Sequence, residues 1–147
     1  MTPDQFTEIF AEGWALPKPE PFLGYFLPLI DPDAVFVQPM YPDARGRAAI
    51  AQMFRQLFVV LPDLTATPMR TATSGDTAFI ESRCAATLGR KAVTFQVCDR
   101  FVIRGGMLVH RRSYSDPAPV LRSLLARPTV WPRAIRSRLI AKAPAPQ

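Results

Sequence analysis

The chain has 147 residues, enough for one domain with its own core. Every apolar run is broken before the ~18–20 residues that a membrane-spanning helix needs, and the opening Met1-Thr-Pro-Asp-Gln-Phe6 has neither the basic nor the apolar stretch of a secretory leader, so a cytoplasmic protein is expected. The net charge of +6 is local: all 12 acidic residues lie at or before Asp116, where basic residues balance them, and the excess belongs to Arg122, Arg127, Arg133, Arg136, Arg138 and Lys142, which excludes reading the body of the protein as a nucleic-acid binder.

Thr2-Pro3-Asp4-Gln5 has the form of a helix start, with a threonine N-cap, a proline in the first turn and a glutamine at the third position. Phe6, Ile9, Phe10 and Trp14 then recur at helical spacing. Prolines 17, 19 and 21 interrupt. A second helix is expected from about Glu20 to Ile30, burying Phe22, Phe26, Leu29 and Ile30 and ending at Asp31-Pro32-Asp33. Ala34-Val-Phe-Val-Gln-Pro39 reads as a short strand closed by proline, and 42–46 as a loop. A third helix carries Ile50, Met53, Phe54, Leu57, Phe58 and Leu61 in one stripe and stops at Pro62-Asp63. Strands are expected at about 64–72, 76–87, 91–103 and 107–115, with turns at Ser74-Gly75-Asp76, Leu88-Gly89-Arg90 and Arg104-Gly105-Gly106.

Segregated helices and consecutive antiparallel strands make an α+β domain over residues 1–117. A strongly curved sheet wrapped over the helices would leave a pocket at its open end. Residues 118–147 form a basic, proline-containing C-terminal extension: a short helix from Val120 to Ala126, a second from Arg133 to Lys142, and a disordered end at 143–147. Three roles suit it: a solvated tail, a segment docked on a partner subunit through Trp131 and Ile135, or a contact with an anionic surface.

One carboxylate stands out. On the strand before Gly105-Gly106 the odd positions are Val93, Phe95, Val97, Asp99, Phe101 and Ile103, far more apolar than the even ones. Side chains alternate faces along a strand, so Asp99 is expected on the buried face, where a carboxylate needs a partner, a hydrogen bond or a proton. The turn decides its neighbour. A three-residue Arg104-Gly-Gly106 loop puts Arg111 opposite Asp99; a two-residue Gly-Gly turn puts Arg112 there. If Arg111 faces inward, the sole histidine, His110, faces outward. No second histidine or carboxylate cluster has metal-ligand spacing, no glycine fingerprint opens a helix, and Cys84 and Cys98 form no close-spaced motif. No metal, cofactor or disulfide is therefore expected.

Asp33-Ala-Val-Phe-Val-Gln-Pro39, the helix from Gly46 to Phe54, and the Asp99…Gly105-Gly106…Tyr114 hairpin, in this order, resemble the nuclear transport factor 2-like superfamily and its SnoaL-like polyketide cyclase branch, over residues 3–117. The resemblance implies a cone-like α+β fold with a deep apolar pocket, often dimerising through its sheet. In SnoaL-like cyclases an aspartate seven residues before the second turn glycine acts as general acid/base, and Asp99 matches it. Ketosteroid isomerases use a first-helix tyrosine, an aspartate ending the first strand and a protonated aspartate on the penultimate strand. Here those positions hold Trp14, Gln38 and Asp99, so only the last is retained. In enzymes like limonene-epoxide hydrolase, an Arg-x-Asp pair and a last-strand aspartate would fall at Ser82, Cys84 and Ser113, and the triad is absent.

Two function classes follow. The first is a cofactor-free isomerase, cyclase or hydrolase on a small apolar carbonyl compound. Asp99 would be the acid/base, its pKa raised in a dry pocket, and Arg111 or a hydroxyl would steady an oxyanion. The second is a non-catalytic ligand-binding or homodimerising module, with Asp99 clamped by Arg111. Trp14, Tyr25, Gln38, Tyr41, Phe95 and Ser113, with Phe36, are the expected pocket wall, suited to a flat apolar ligand.

Overall fold

The computed structural model describes residues 1–39, 41–116, 118–126 and 128–136. The first helix, α1 (Pro3–Ala15), starts as its sequence dictates: Thr2 Oγ1 accepts from the Gln5 N–H at 3.3 Å, and Gln5 Oε1 accepts from the Thr2 N–H at 2.8 Å. It buries Phe6, Phe10, Gly13 and Trp14. Helix α2 (Glu20–Phe26) is shorter than its apolar pattern implied. It tightens into a 3-10 turn at Leu27–Leu29, and Ile30 already opens β1 (Ile30–Gln38). Pro32, expected to end a helix, is accommodated because the pairing of β1 is irregular between Ile30 and Val35. The stretch read as a loop is a strand, β2 (Tyr41–Arg45), at the sheet edge, where Pro42 needs no ladder partner on its free side.

Helix α3 (Gly46–Val60) buries Ile50, Met53, Phe54 and Phe58 on the expected stripe. Strands β3 (Thr65–Ser74), β4 (Thr77–Leu88), β5 (Lys91–Arg104) and β6 (Met107–Ser115) follow as a meander, each within two residues of its expected limits. The six strands form one curved, open sheet in the order β2-β1-β6-β5-β4-β3. Neighbours are antiparallel except β1 and β6, which run parallel and bring the end of β1 beside the end of β6.

Helix α1 packs on β3 and β4, and α3 on β1 and β2. An aromatic network closes the space between helices and sheet. Phe6 meets Phe101 at 4.7 Å between ring centroids, Trp14 meets Phe22 at 4.9 Å, and Phe22 meets Phe54 at 5.1 Å. Each fully buried ring contributes about 1.5–3 kcal/mol by its area, with further gain from the edge-to-face geometry. Beyond the sheet lie α4 (Ala118–Leu125), a 3-10 turn at Pro128–Val130, and α5 (Trp131–Arg136). Helix α4 starts two residues before the expected Val120, and the helix expected from Arg133 already begins at Trp131. The rest of that span, and 143–147, lie outside the described residues.

Candidate functional site

The register of the last hairpin sets the site, and it follows neither simple alternative. Arg104 pairs with Met107 and Ile103 with Leu108, so the turn is the two-residue Gly105-Gly106, both at positive φ. By itself that turn would bring Arg112 opposite Asp99. Val109 is an extra residue on β6, and beyond it Val102 pairs with His110, Phe101 with Arg111 and Asp99 with Ser113. The bulge reverses the parity of the strand. Arg111, Ser113 and Ser115 share the inner face with Asp99, while His110 and Arg112 turn outward.

Asp99 is 4% exposed, the most deeply buried carboxylate among the described residues. Arg111, one pair along β6 on the same face, holds it side-on: Nε donates to Oδ1 at 3.1 Å and Nη2 to Oδ2 at 3.1 Å. The remaining arm, Nη1, donates to Gln38 Oε1 at 3.4 Å. The guanidinium also lies 5.7 Å from the Phe36 ring and 5.9 Å from the Phe54 ring, a cation over two aromatic faces. Such a forked pair satisfies both charges where neither could remain alone.

A cavity of about 110 Å³ opens in front of this pair. Trp14, Phe54, Leu57, Leu61, Phe95 and Val97 give it apolar walls, and Gln38, Ser82, Asp99, Arg111 and Ser113 are its polar spots. A smaller space of about 30 Å³, lined by Phe6, Phe22, Phe36 and Phe101, also borders Arg111. Trp14, Gln38, Tyr41, Phe95 and Ser113 line this cavity together with Asp99 and Arg111. Tyr25 does not line the cavity: its hydroxyl donates to Glu12 Oε2 at 2.6 Å on the outer side of α1, which raises its pKa. Phe36 lines the smaller space instead.

Ser82 was legible only as the position of a missing hydrolase residue, yet it is 1% exposed and lines the cavity. Its signal was the inner set of β4, Ala78, Ile80, Ser82, Cys84, Ala86 and Leu88, in which it is the one hydroxyl. Burial pushes the Cys84 thiol up to about 12, and the nearby Asp99 charge adds to this. On the outer face, burial and the charges of Arg100 and Arg112 lower the pKa of His110, with Asp43 opposing. Among the described residues, no three His, Cys, Asp or Glu side chains gather closely enough to hold a metal ion, and no helix is long and apolar enough to cross a membrane.

The model of the SnoaL-like domain matches residues 22–111, more than half of the chain. The chain belongs to the SnoaL-like domain family. The match runs from α2 through the pair-forming Arg111. Solved SnoaL-like and related structures share the fold. A putative SnoaL-like polyketide cyclase from Jannaschia sp. CCS1 is 16% identical, with a TM-score of 0.74 over 85% of this chain and 92% of that one. IdmH, a putative polyketide cyclase from Streptomyces antibioticus, is 20% identical, with a TM-score of 0.70 over 84% and 99%. An epoxide hydrolase from M. tuberculosis, similar to limonene-epoxide hydrolase, is 20% identical, with a TM-score of 0.64 over 82% and 86%. At these identities the likeness is one of fold, which hosts unrelated chemistries. No curated protein matches the sequence.

Proposed function

We propose that this SnoaL-like protein binds a small, flat, apolar carbonyl compound in its cavity and moves a proton on it without a cofactor, Asp99 serving as acid/base. The observation that carries this reading is the buried carboxylate itself: one Asp, 4% exposed, on the wall of an aromatic-lined cavity. Proton transfer next to a carbonyl needs a group within hydrogen-bond reach and a cation or donor for the developing oxyanion. Arg111 stands at hydrogen-bond distance from Asp99 and fills the second role. A carboxylate offers about four lone-pair sites, and the guanidinium uses two, so Asp99 keeps capacity for a substrate proton.

A second reading, a non-catalytic ligand-binding module, draws on the same geometry, because both Asp99 oxygens are engaged by Arg111. Proton exchange separates the two. In D2O, the methyl protons of 2-acetylnaphthalene are followed by NMR with the wild type and Asp99→Asn. Faster exchange with the wild type alone supports the acid/base reading. Equal rates with retained binding would leave the binding module. We further propose pairing of two copies through the outer sheet face, where Phe79 and Tyr114 are exposed; sedimentation giving a monomer would end that part.

A further inference from the structure

The polar groups of the cavity are unequally satisfied. Arg111 and Asp99 satisfy each other, but Ser82 Oγ and Gln38 Nε2 are buried and make no hydrogen bond among the described residues. Both residues line the cavity. Buried hydroxyls and amides without partners are rare, because each forfeits its hydrogen bonds to water. The orientation of Gln38 is fixed by its neighbour: Arg111 Nη1 presents only N–H groups, so the amide must turn its oxygen to it. Nε2 is thereby left as a pure donor.

These four side chains stand one on each of four adjacent strands: Gln38 on β1, Arg111 on β6, Asp99 on β5 and Ser82 on β4. The register makes the row diagonal, since Asp99 faces Ile80, and Ser82, two residues further along β4 on the same face, faces Val97. The row is satisfied at its centre and unsatisfied at both ends. Three strand spacings and one two-residue step, about 16 Å along the sheet, separate the backbones at those ends, and both side chains reach inward from them. Both tips line the same apolar cavity, so a ligand that touches both must span it, which a single small ring does not do.

We infer that Gln38 Nε2 and Ser82 Oγ are the two terminal subsites for a single ligand: a planar, apolar molecule of at least two fused rings with an oxygen function near each end. Gln38 takes an oxygen that only accepts, a carbonyl or enolate; Ser82, donor and acceptor, takes a hydroxyl or a second carbonyl. Arg111 Nη1 is hydrogen-bonded to Gln38, so an oxygen held by Gln38 also lies beside the guanidinium, and Asp99 follows next in the row. This rests on the reading that the cavity binds a carbonyl compound, and it adds which residues choose the ligand.

The test compares 6-acetyl-2-naphthol, with an oxygen at each end, with 2-acetylnaphthalene, which lacks the hydroxyl. Binding is measured by calorimetry to the wild type, Ser82→Ala and Gln38→Leu. In the wild type the two-oxygen probe binds about tenfold tighter, the worth of one buried hydrogen bond. Ser82→Ala removes that advantage and leaves 2-acetylnaphthalene unchanged; Gln38→Leu weakens both probes. Ser82→Ala also melts at the wild-type temperature or above, since it deletes a hydroxyl without a partner among the described residues, whereas a serine kept for structure would melt lower. Equal binding of both probes by the wild type, or an advantage that survives Ser82→Ala, overturns this inference and leaves the cavity reading intact. If neither probe binds, both fall.

Discussion

Replacing Asp99 by asparagine tests whether the forked pair sits in a low-dielectric site. The substitution leaves the shape nearly unchanged and removes one charge of a pair whose side chains are 6% and 11% exposed. Leaving one charge of a buried pair alone costs about 3–5 kcal/mol. Three local features hold the value to the lower end. The amide introduced by Asp99→Asn keeps one oxygen for the guanidinium, Gln38 Oε1 still accepts from Nη1, and the Phe36 and Phe54 rings still face the cation. The expected loss is therefore about 3 kcal/mol, or a fall in melting temperature of about 6–12 °C for a chain of this size. Removing both charges, as in Asp99→Leu with Arg111→Met, recovers most of it, because no stranded ion remains. Thermal and urea melts by circular dichroism on the wild type, Asp99→Leu, Arg111→Met and the double variant, with Asp99→Asn alongside, measure the coupling. A single variant within ~1 kcal/mol of the wild type, or a double variant no more stable than Asp99→Asn, would refute the reasoning.

Three further outcomes are expected. The sole histidine gives one Cε1–H resonance, and His110 titrates below the ordinary ~6.5 because burial, Arg100 and Arg112 disfavour its charge. Its contribution to stability is complete above the unfolded value and is lost as pH falls through the folded one, so His110→Gln loses less of its urea midpoint than the wild type between pH ~7.5 and ~5.5; an NMR midpoint at or above ~6.5 contradicts this. Cys84, with its thiol pushed up to about 12, stays unalkylated by iodoacetamide near neutral pH while the half-buried Cys98 on the outer face reacts first, as peptide mass mapping reads directly. Gly13→Ala, favourable by up to ~1 kcal/mol in an isolated helix, destabilises this protein by about 1–3 kcal/mol. The new Cβ would lie 2.2–2.3 Å from the Phe26 ring, which is itself buried; a raised melting temperature would show that α1 and α2 part freely.

Where sequence and structure agree, a strong local signal met a simple face rule. The odd residues of β5 are so uniformly apolar that Asp99 could only point inward, and the capping box at Thr2 and Gln5 needs nothing beyond four residues. The misreadings have local causes too. Tyr41-Pro-Asp-Ala-Arg45 carries turn-forming residues and becomes a strand only because β1 offers an edge. Tyr25 lies at the margin of a seven-residue helix whose inner stripe is Phe22 and Phe26, too short a stretch for spacing to assign its side. The bulge at Val109 leaves no mark in composition at all, and it alone turned a choice between two registers into a third. Ser82 was hidden because a serine on a strand is ordinary until its partners are counted.

That bulge makes the character of the cavity a matter of odd and even. Arg111 and Arg112 are adjacent and chemically identical, and only the one extra residue between Leu108 and His110 decides which guanidinium reaches Asp99 and which faces outward beside Tyr114. Deleting Val109 would only close the bulge and leave Arg111 facing inward, whereas were Val109 drawn into the ladder as the partner of Val102, the two arginines would exchange faces without either being substituted. The same slip would turn the outer His110 toward the aromatic interior and carry Ser113 away from the cavity. A change in the pairing of this hairpin, with no residue replaced, can therefore rewire the polar lining in one step.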